Sequence, residues 1–282
     1  MQGDKLMLYC DQTSSAESLV SQIGAAKAGV SVVTFDEKDN EEAFGQALSS
    51  SKAKGLILTP GTETTEGNTK GTFLSSLMPE LATMYPGQEL NLSKFPHLQH
   101  IIQTGHQAMR GVNKFRDLAV YTSPNMSTRQ IPSNDADAVS HIVYKDGKAA
   151  EWSSSEIVAK SADLWDGCLS KAGSDTNPIF MACDIENPLG FSAFLACSSN
   201  FKKVFIPGTF NMTQMLQSVQ RQGSDYIMCD EDFYSVQLPP AKKAEYQQMC
   251  SAVKNVLVSG SASGSSDLFP NAKATSKDKY DF

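Results

Sequence analysis

The chain has 282 residues, with 31 Asp and Glu against 24 Lys and Arg, a net charge of −7 and 40% hydrophobic residues. This composition is typical of folded domains with an apolar core and excludes collagen-like and disordered chains. No stretch concentrates the basic residues that bind phosphate backbones, so we expect no nucleic-acid partner. No apolar run approaches the roughly 18 residues of a membrane-spanning helix, and we expect a chain that does not span a membrane.

Short apolar runs alternate with helix-like segments in the first part of the chain. Strands are predicted at residues 5–9, 30–35 and 55–59, and helices at 16–28 and 41–51. This alternation predicts a parallel sheet with right-handed crossovers and helices on both faces. Residues 1–123 are therefore predicted to form a first α/β unit.

The same order of elements returns in the second half of the chain. Strands are predicted at 178–183, 203–206 and 225–229, and helices at 188–199 and 212–221. The dipeptides Cys10-Asp11 and Cys183-Asp184 follow the first strand of each series, which indicates a repeat. We predict a three-layer α/β protein of two similar βαβαβ units, with parallel sheets covered by helices and the second unit at 124–240.

The last part of the chain has a different composition. Residues 241–258 show an amphipathic pattern and are predicted to form a helix. Residues 259–282 begin with a Ser/Gly run and are predicted to form a flexible linker and tail.

The six cysteines are scattered and form no Cys-x-x-Cys pair. Most have apolar neighbours, so we expect buried free thiols in a reducing, intracellular compartment. The N-terminus resembles neither a secretory signal nor a transit peptide.

Two groups of residues invite a catalytic or metal-binding interpretation. His97, His100 and His106 lie within ten residues, but no Cys or acidic residue stands at ligand spacing, so no metal site is predicted. Ser140 and His141 are adjacent, yet no Gly-x-Ser-x-Gly elbow or acidic partner completes a triad. We predict no catalytic residue, no metal ligand and no cofactor.

A series of further motifs follows the order found in one enzyme family. They include Phe95-Pro-His-Leu98, Ile101-Ile-Gln-Thr-Gly105, a Gly111–Leu118 segment and, later, Pro188-Leu-Gly190 and Val204-Phe-Ile-Pro207. In this order the chain resembles acyl-CoA synthetases of the adenylate-forming (AMP-binding) superfamily over about residues 3–235. The resemblance implies a large domain with two similar α/β subdomains, in agreement with the predicted repeat.

The phosphate loop of that family has no counterpart in this sequence. The family loop is rich in Ser, Thr and Gly and ends in Pro-Lys-Gly, so that amides and hydroxyls hold the ATP phosphates. At the corresponding place stand Tyr144, Lys145, Asp146, Gly147 and Lys148, with one glycine and a carboxylate that repels phosphate. The Asp-Gly pair predicts a tight hairpin instead.

A Thr-rich segment at 59–68 also follows a strand. Glu63 and Glu66 oppose phosphate there, and no lysine stands at the start of the helix predicted at 73–84, so no phosphate site is predicted. The family-like part ends near Phe233, before the adenine-contacting motif, the ribose-binding Asp, the hinge and the C-terminal domain with its catalytic Lys.

These departures predict a catalytically inactive acyl-CoA synthetase-like protein. We expect an accessory, structural subunit bound to other protein subunits in a larger assembly. By analogy with related synthetases, the assembly is expected in the mitochondrion, such as a respiratory-chain complex. Two alternatives stay open: a non-catalytic module that binds a nucleotide, CoA or an acyl chain, and an active acyl-CoA ligase.

Overall fold

The structure is a computed structural model. It describes residues 3–11, 14–35, 40–61, 69–105, 108–120, 135–145, 147–171, 177–208, 211–260 and 266–277. The chain divides into two compact units, Met1–Ser155 and Glu156–Phe282.

Unit 1 contains a sheet of seven strands in the order β5-β4-β3-β1-β2-β6-β7. The strands are β1 (Lys5–Tyr9), β2 (Ser31–Phe35), β3 (Gly55–Leu58), β4 (His100–Gln103), β5 (Asn113–Lys114), β6 (Val139–Lys145) and β7 (Lys148–Ser153). The described helices are α1 (Ser15–Ala28), α2 (Glu41–Ser51), α3 (Lys70–Leu77) and α4 (Phe115–Val120), with a 3₁₀ turn at Pro79–Thr83. Neighbouring strands are parallel except β7, which pairs antiparallel with β6.

Helices cover both faces of this sheet, because successive side chains of a strand point to opposite faces. Met7 and Tyr9 of β1 pack in one core cluster with Phe44 of α2. Leu8, between them, packs in the opposite cluster with Ala25 of α1. Unit 1 therefore has three layers.

Unit 2 contains a parallel sheet of five strands in the order β12-β11-β10-β8-β9. The strands are β8 (Ile179–Ala182), β9 (Val204–Phe205), β10 (Tyr226–Asp230), β11 (Asn255–Ser259) and β12 (Lys273–Lys277). The helices are α5 (Ser154–Gly167), which begins at the boundary, α6 (Pro188–Ser199), α7 (Met212–Gln222), α8 (Glu231–Tyr234) and α9 (Pro240–Met249), with a 3₁₀ turn at Leu169–Lys171. Phe180 packs with Leu216 of α7, whereas Met181 packs on the other face with Leu189 of α6.

The two sheets share one strand order. Strands β2-β1-β3-β4-β5 of unit 1 correspond to β9-β8-β10-β11-β12 of unit 2, with the first helix of each series, α1 or α6, between the first two strands. This confirms the predicted fold class of two similar α/β units with parallel sheets covered by helices.

Three predicted boundaries differ from the structure. The division falls after Ser155 rather than at 123/124, because β6 pairs with β2 and carries β7 into the sheet of unit 1. The helix predicted at 73–84 ends at Leu77, since the residue before Pro79 disfavours helical backbone. The helix predicted at 241–258 ends at Met249.

After α9 the chain adds two strands, where the second half of the predicted helix and the predicted tail were expected. Val256 and Val258 pack in one core cluster and Leu257 packs in the other, so this apolar run is a buried strand. Strand β12 lies within the predicted flexible tail and pairs with β11. Residues 261–265 and 278–282 lie outside the described residues.

Candidate functional site

The strand order reverses between β1 and β3 in unit 1 and between β8 and β10 in unit 2. Open α/β sheets bind ligands at such a switch point, beside the carboxyl ends of the strands. The register places equivalent residues at the two points, because Tyr9 pairs with Leu58 as Ala182 pairs with Cys229. We define the first switch point by four residues: Asp11, Ser14, Thr59 and Thr104. The equivalent residues of the second switch point are, in the same order, Asp184, Asn187, Asp230 and Ser259.

Three buried hydroxyls close the first switch point. The Oγ of Ser14 lies 2.7 Å from Thr104 Oγ1 and accepts a hydrogen bond of 2.9 Å from Thr59 Oγ1. Thr59 Oγ1 and Thr104 Oγ1 are 2.8 Å apart, and Thr59 also accepts the Asp11 N–H. These groups hydrogen-bond one another, so a ligand there would have to displace an existing network.

One carboxylate replaces a hydroxyl at the second switch point, because Asp230 stands at the position of Thr59. Asp230 Oδ2 accepts the Asp184 N–H at 2.9 Å, which repeats the contact between Asp11 and Thr59. The side chain of Asn187 caps α6 by accepting the Gly190 N–H at 2.7 Å. Ser259 is 2% exposed, and its Oγ has no hydrogen-bond partner in the described part of the chain. The negative charge at this edge disfavours a bound phosphate.

Three thiols of unit 2 are held in the protonated form: Cys183 and Cys229 beside the second switch point, and Cys197 in α6. Burial, together with Asp230 and Asp184, raises the pKa of Cys183 well above its ordinary value. Burial also raises the pKa of Cys229, and it raises the pKa of Cys197 to about 12. A thiol reacts as the thiolate, so these cysteines are not nucleophiles at neutral pH. All six cysteines are free and all but Cys168 are buried, as predicted.

The segment that the sequence resemblance assigns to the phosphate loop, Tyr144 to Lys148, joins β6 to β7. Strands β6 and β7 pair up to the turn: Tyr144 lies opposite Ala149, and Lys145 lies opposite Lys148. Gly147 has a φ of +72°, which suits glycine in a two-residue turn. Asp146 lies outside the described residues. The described backbone forms an antiparallel strand ladder here and not a loop whose successive amides converge on one anion.

A groove of about 970 Å³ runs beside this hairpin in unit 1. Its walls come from α2, from the end of α3 and from the tip of β6. Aromatic, basic and acidic side chains line it: Phe35, Phe73, Phe95, Tyr144, Lys94, Lys145, Glu41 and Glu42. The groove combines apolar surface with two cationic and two anionic side chains.

One lysine was missed by the sequence reasoning. Helix α3 begins at Lys70, because Thr69 caps it by accepting the Thr72 N–H at 3.1 Å, so a lysine does stand at a helix start after the Thr-rich segment. Lys70 is 1% exposed and its Nζ lies 4.1 Å from the centre of the Tyr9 ring. The threonine cap was the signal that could have located it. Residues 62–68 of that segment, with Glu63 and Glu66, lie outside the described residues.

The histidines occupy structural positions. His97 Nε2 lies 3.1 Å from the Leu48 carbonyl oxygen, and His100 is exposed on β4; His106 lies outside the described residues. In the described ranges no three His, Cys, Asp or Glu residues are placed to hold a metal ion.

His141 forms a buried polar network rather than a catalytic dyad. Its Nε2 lies 3.1 Å from Gln22 Oε1 and its Nδ1 lies 3.0 Å from Ser140 Oγ. Burial lowers the pKa of His141 to about 4, so the ring is neutral at pH 7. The network joins β6 to α1.

Comparison with solved structures identifies the fold. An acyl-CoA synthetase from Brucella canis matches with a TM-score of 0.67 and 12% identity, over 93% of this chain and 43% of that one. The fold is that of acyl-CoA synthetases and related adenylate-forming enzymes. The luciferase-like enzyme of the mealworm Zophobas morio matches with a TM-score of 0.66 and 14% identity, over 97% of this chain and 59% of that one.

The O-succinylbenzoate CoA synthetase of Bacillus subtilis gives a TM-score of 0.61 at 12% identity, over 93% of this chain and 45% of that one. The chain thus spans about half the length of the structures it matches. Neither a family model nor a curated protein sequence matches it. Among the described helices, none is long and apolar enough to cross a membrane.

Proposed function

We propose that this protein is a catalytically inactive, acyl-CoA synthetase-like accessory subunit of a larger protein assembly. The observation that carries the proposal is the hairpin of β6 and β7 at the phosphate-loop position. Adenylate formation needs donors arranged around the phosphates, and preorganised charge stabilisation is usually the largest catalytic contribution. A strand ladder that ends in a two-residue turn supplies no such arrangement.

The two switch points support the same conclusion. The first is filled by its own hydroxyl network, and the second carries Asp184 and Asp230, which repel phosphate. Beside the second switch point, the thiols of Cys183 and Cys229 are held in the protonated form. We assign the chain to a mitochondrial assembly, such as a respiratory-chain complex, by analogy with related synthetases alone.

A pyrophosphate exchange assay tests the loss of catalysis. The full chain, with ATP, Mg²⁺ and a panel of short-, medium- and long-chain acids, should exchange no labelled pyrophosphate into ATP above the rate without acid. Acid-dependent exchange above that rate would contradict the proposal and favour an active ligase. The native mass of the endogenous protein tests the subunit role.

The groove beside the hairpin supports one second candidate, a non-catalytic module that binds an acyl chain, CoA or a nucleotide. Its aromatic walls suit an apolar group such as an acyl chain, whereas Glu41 and Glu42 offset the charge that Lys94 and Lys145 would offer an anion. Isothermal titration with palmitate, CoA and ATP distinguishes the candidates. Saturable binding that weakens at least tenfold in Phe73→Ser would favour this module, whereas no binding favours the accessory subunit.

A further inference from the structure

Three of the helices that the structure describes end in the same backbone motif. After α1, α6 and α7, a residue in the left-handed region donates its N–H to the carbonyl oxygen three residues earlier. The next residue donates its N–H to the carbonyl oxygen five residues earlier. This is the Schellman motif, in which the left-handed position usually holds glycine. Glycine is present at Gly29 after α1 (φ 68°) and at Gly223 after α7 (φ 61°), but Phe201 stands there after α6 (φ 56°).

The hydrogen bonds of the motif do not explain the phenylalanine. The Phe201 N–H donates to the Ser198 carbonyl oxygen at 3.2 Å, and the Lys202 N–H donates to the Cys197 carbonyl oxygen at 2.9 Å. Gly29 and the residue after it make the same two hydrogen bonds in unit 1. A side chain with a Cβ is strained in this conformation. The Phe201 side chain is 96% exposed, so packing within the described chain does not offset the strain.

The internal repeat makes this contrast direct. The connection from α1 to β2 in unit 1 corresponds to the connection from α6 to β9 in unit 2. Phe201 therefore occupies the position that Gly29 holds in the other unit. Gly29 makes the same hydrogen bonds in unit 1, so the motif itself does not require an aromatic ring at this position.

The surroundings of Phe201 indicate what its ring meets. Lys202 and Lys203 follow it directly, and Lys203 is exposed. Strand β9, at the edge of the sheet, begins at the next residue. An exposed aromatic ring beside cationic groups and a sheet edge suits a protein surface with an apolar pocket and acidic residues around it. An anionic membrane is the weaker fit, because the chain carries a net charge of −7.

We propose that Phe201 is the anchor of a protein–protein interface, and that its ring enters an apolar pocket of a partner protein whose rim carries carboxylates facing Lys203. This inference rests on the proposed subunit role and names the surface that carries it. Few residues dominate such interfaces, and desolvated aromatic side chains are frequent among them.

Phe201→Gly tests the inference without endangering the fold, because glycine suits the left-handed position. We expect its melting temperature to equal or exceed that of the wild type, while the fraction of chain in the native assembly falls at least tenfold. Phe201→Trp should retain assembly, and Lys203→Glu should weaken it severalfold. The matched control is Val158→Ser, which removes another exposed apolar side chain of unit 2 (64% exposed) and should change nothing.

The outcomes separate the inference from the proposed function. If the wild type assembles and Phe201→Gly assembles equally, the interface proposal is wrong and the subunit role stands. If the wild type does not assemble, both are wrong. A last experiment measures binding of the wild type to vesicles of phosphatidylcholine with 30% phosphatidylserine. Binding that Phe201→Gly abolishes would contradict a protein partner and favour a membrane.

Discussion

The two units of this chain have the same strand order, yet they differ at each of three equivalent places. At the switch point, Thr104 of unit 1 belongs to a closed hydroxyl network, whereas Ser259 of unit 2 is buried with no partner in the described residues. At the first helix start, Ser14 bonds its neighbouring hydroxyls, whereas Asn187 caps α6. At the end of that helix, unit 1 has Gly29 and unit 2 has Phe201. The same strand order is thus compatible with different side chains and different hydrogen bonds at equivalent positions.

The largest expected difference concerns Gly190 in the first turn of α6. A Cβ there would collide with the Asp184 carbonyl and lie 3.0 Å from Ile185 Cα, and backbone atoms cannot move aside cheaply. Gly190→Ala should lower the free energy of unfolding by at least about 3 kcal/mol. The equivalent Glu17→Ala in unit 1 should cost only about 0.5 kcal/mol, from the lost helix-dipole interaction. Urea denaturation measures both, and equal losses would contradict the contrast.

Acid should destabilise unit 1 more than unit 2. All four histidines lie in unit 1, and burial lowers the pKa of His141 from 6.5 to about 4. The unfolded chain therefore takes up a proton first, and the contribution of His141 is lost as the pH falls from about 6.5 to 4. The loss amounts to about 3 kcal/mol. Hydrogen exchange at β6 and at β10 across this pH range should show it, and His141→Gln should remove it; equal loss in both strands would be the opposite result.

Removing a hydroxyl at the switch points should have opposite effects in the two units. Thr104→Val leaves Ser14 and Thr59 without one partner and should lower the free energy of unfolding by about 2 kcal/mol. Ser259→Ala removes a buried Oγ that makes no hydrogen bond in the described residues, so stability should stay constant or rise by about 1 kcal/mol. Thermal unfolding of both variants checks the signs; a loss in Ser259→Ala would reveal a partner for that hydroxyl.

The smallest expected effects are opposite changes in the free energy of unfolding at the ends of α1 and α6. Gly29→Ala should lower the free energy of unfolding by about 1 kcal/mol, because alanine is strained at a φ of 68°. Phe201→Gly should raise it by up to about 1 kcal/mol through relief of the same strain, less the entropy of the added glycine. Chemical denaturation resolves both changes, and a destabilised Phe201→Gly would mean that the ring packs within its own chain.

Local patterns were sufficient for much of the fold. Alternating apolar strands and helices predicted both parallel sheets, and the Asp146-Gly147 pair predicted the hairpin whose strands β6 and β7 are observed. The apolar run at Val256–Val258 was read as the end of a helix, because a short apolar run carries no periodicity that separates a buried strand from a helix.

Other features depend on contacts that no local pattern encodes. The hydroxyl network joins Ser14, Thr59 and Thr104, which are 45 residues apart in succession. Their proximity follows only from the adjacency of β1, β3 and β4. The exposure of Phe201 is likewise invisible in the sequence, where Asn200-Phe201-Lys202 is an ordinary helix-to-strand connection.

The most direct test of the proposed role is the native mass of the untagged endogenous protein. The protein should be extracted in mild detergent and sized, with its co-migrating proteins quantified. An accessory subunit is expected to migrate in a large assembly at fixed stoichiometry, with little free chain. A single species near 30.5 kDa, the mass of one chain, would contradict the subunit role.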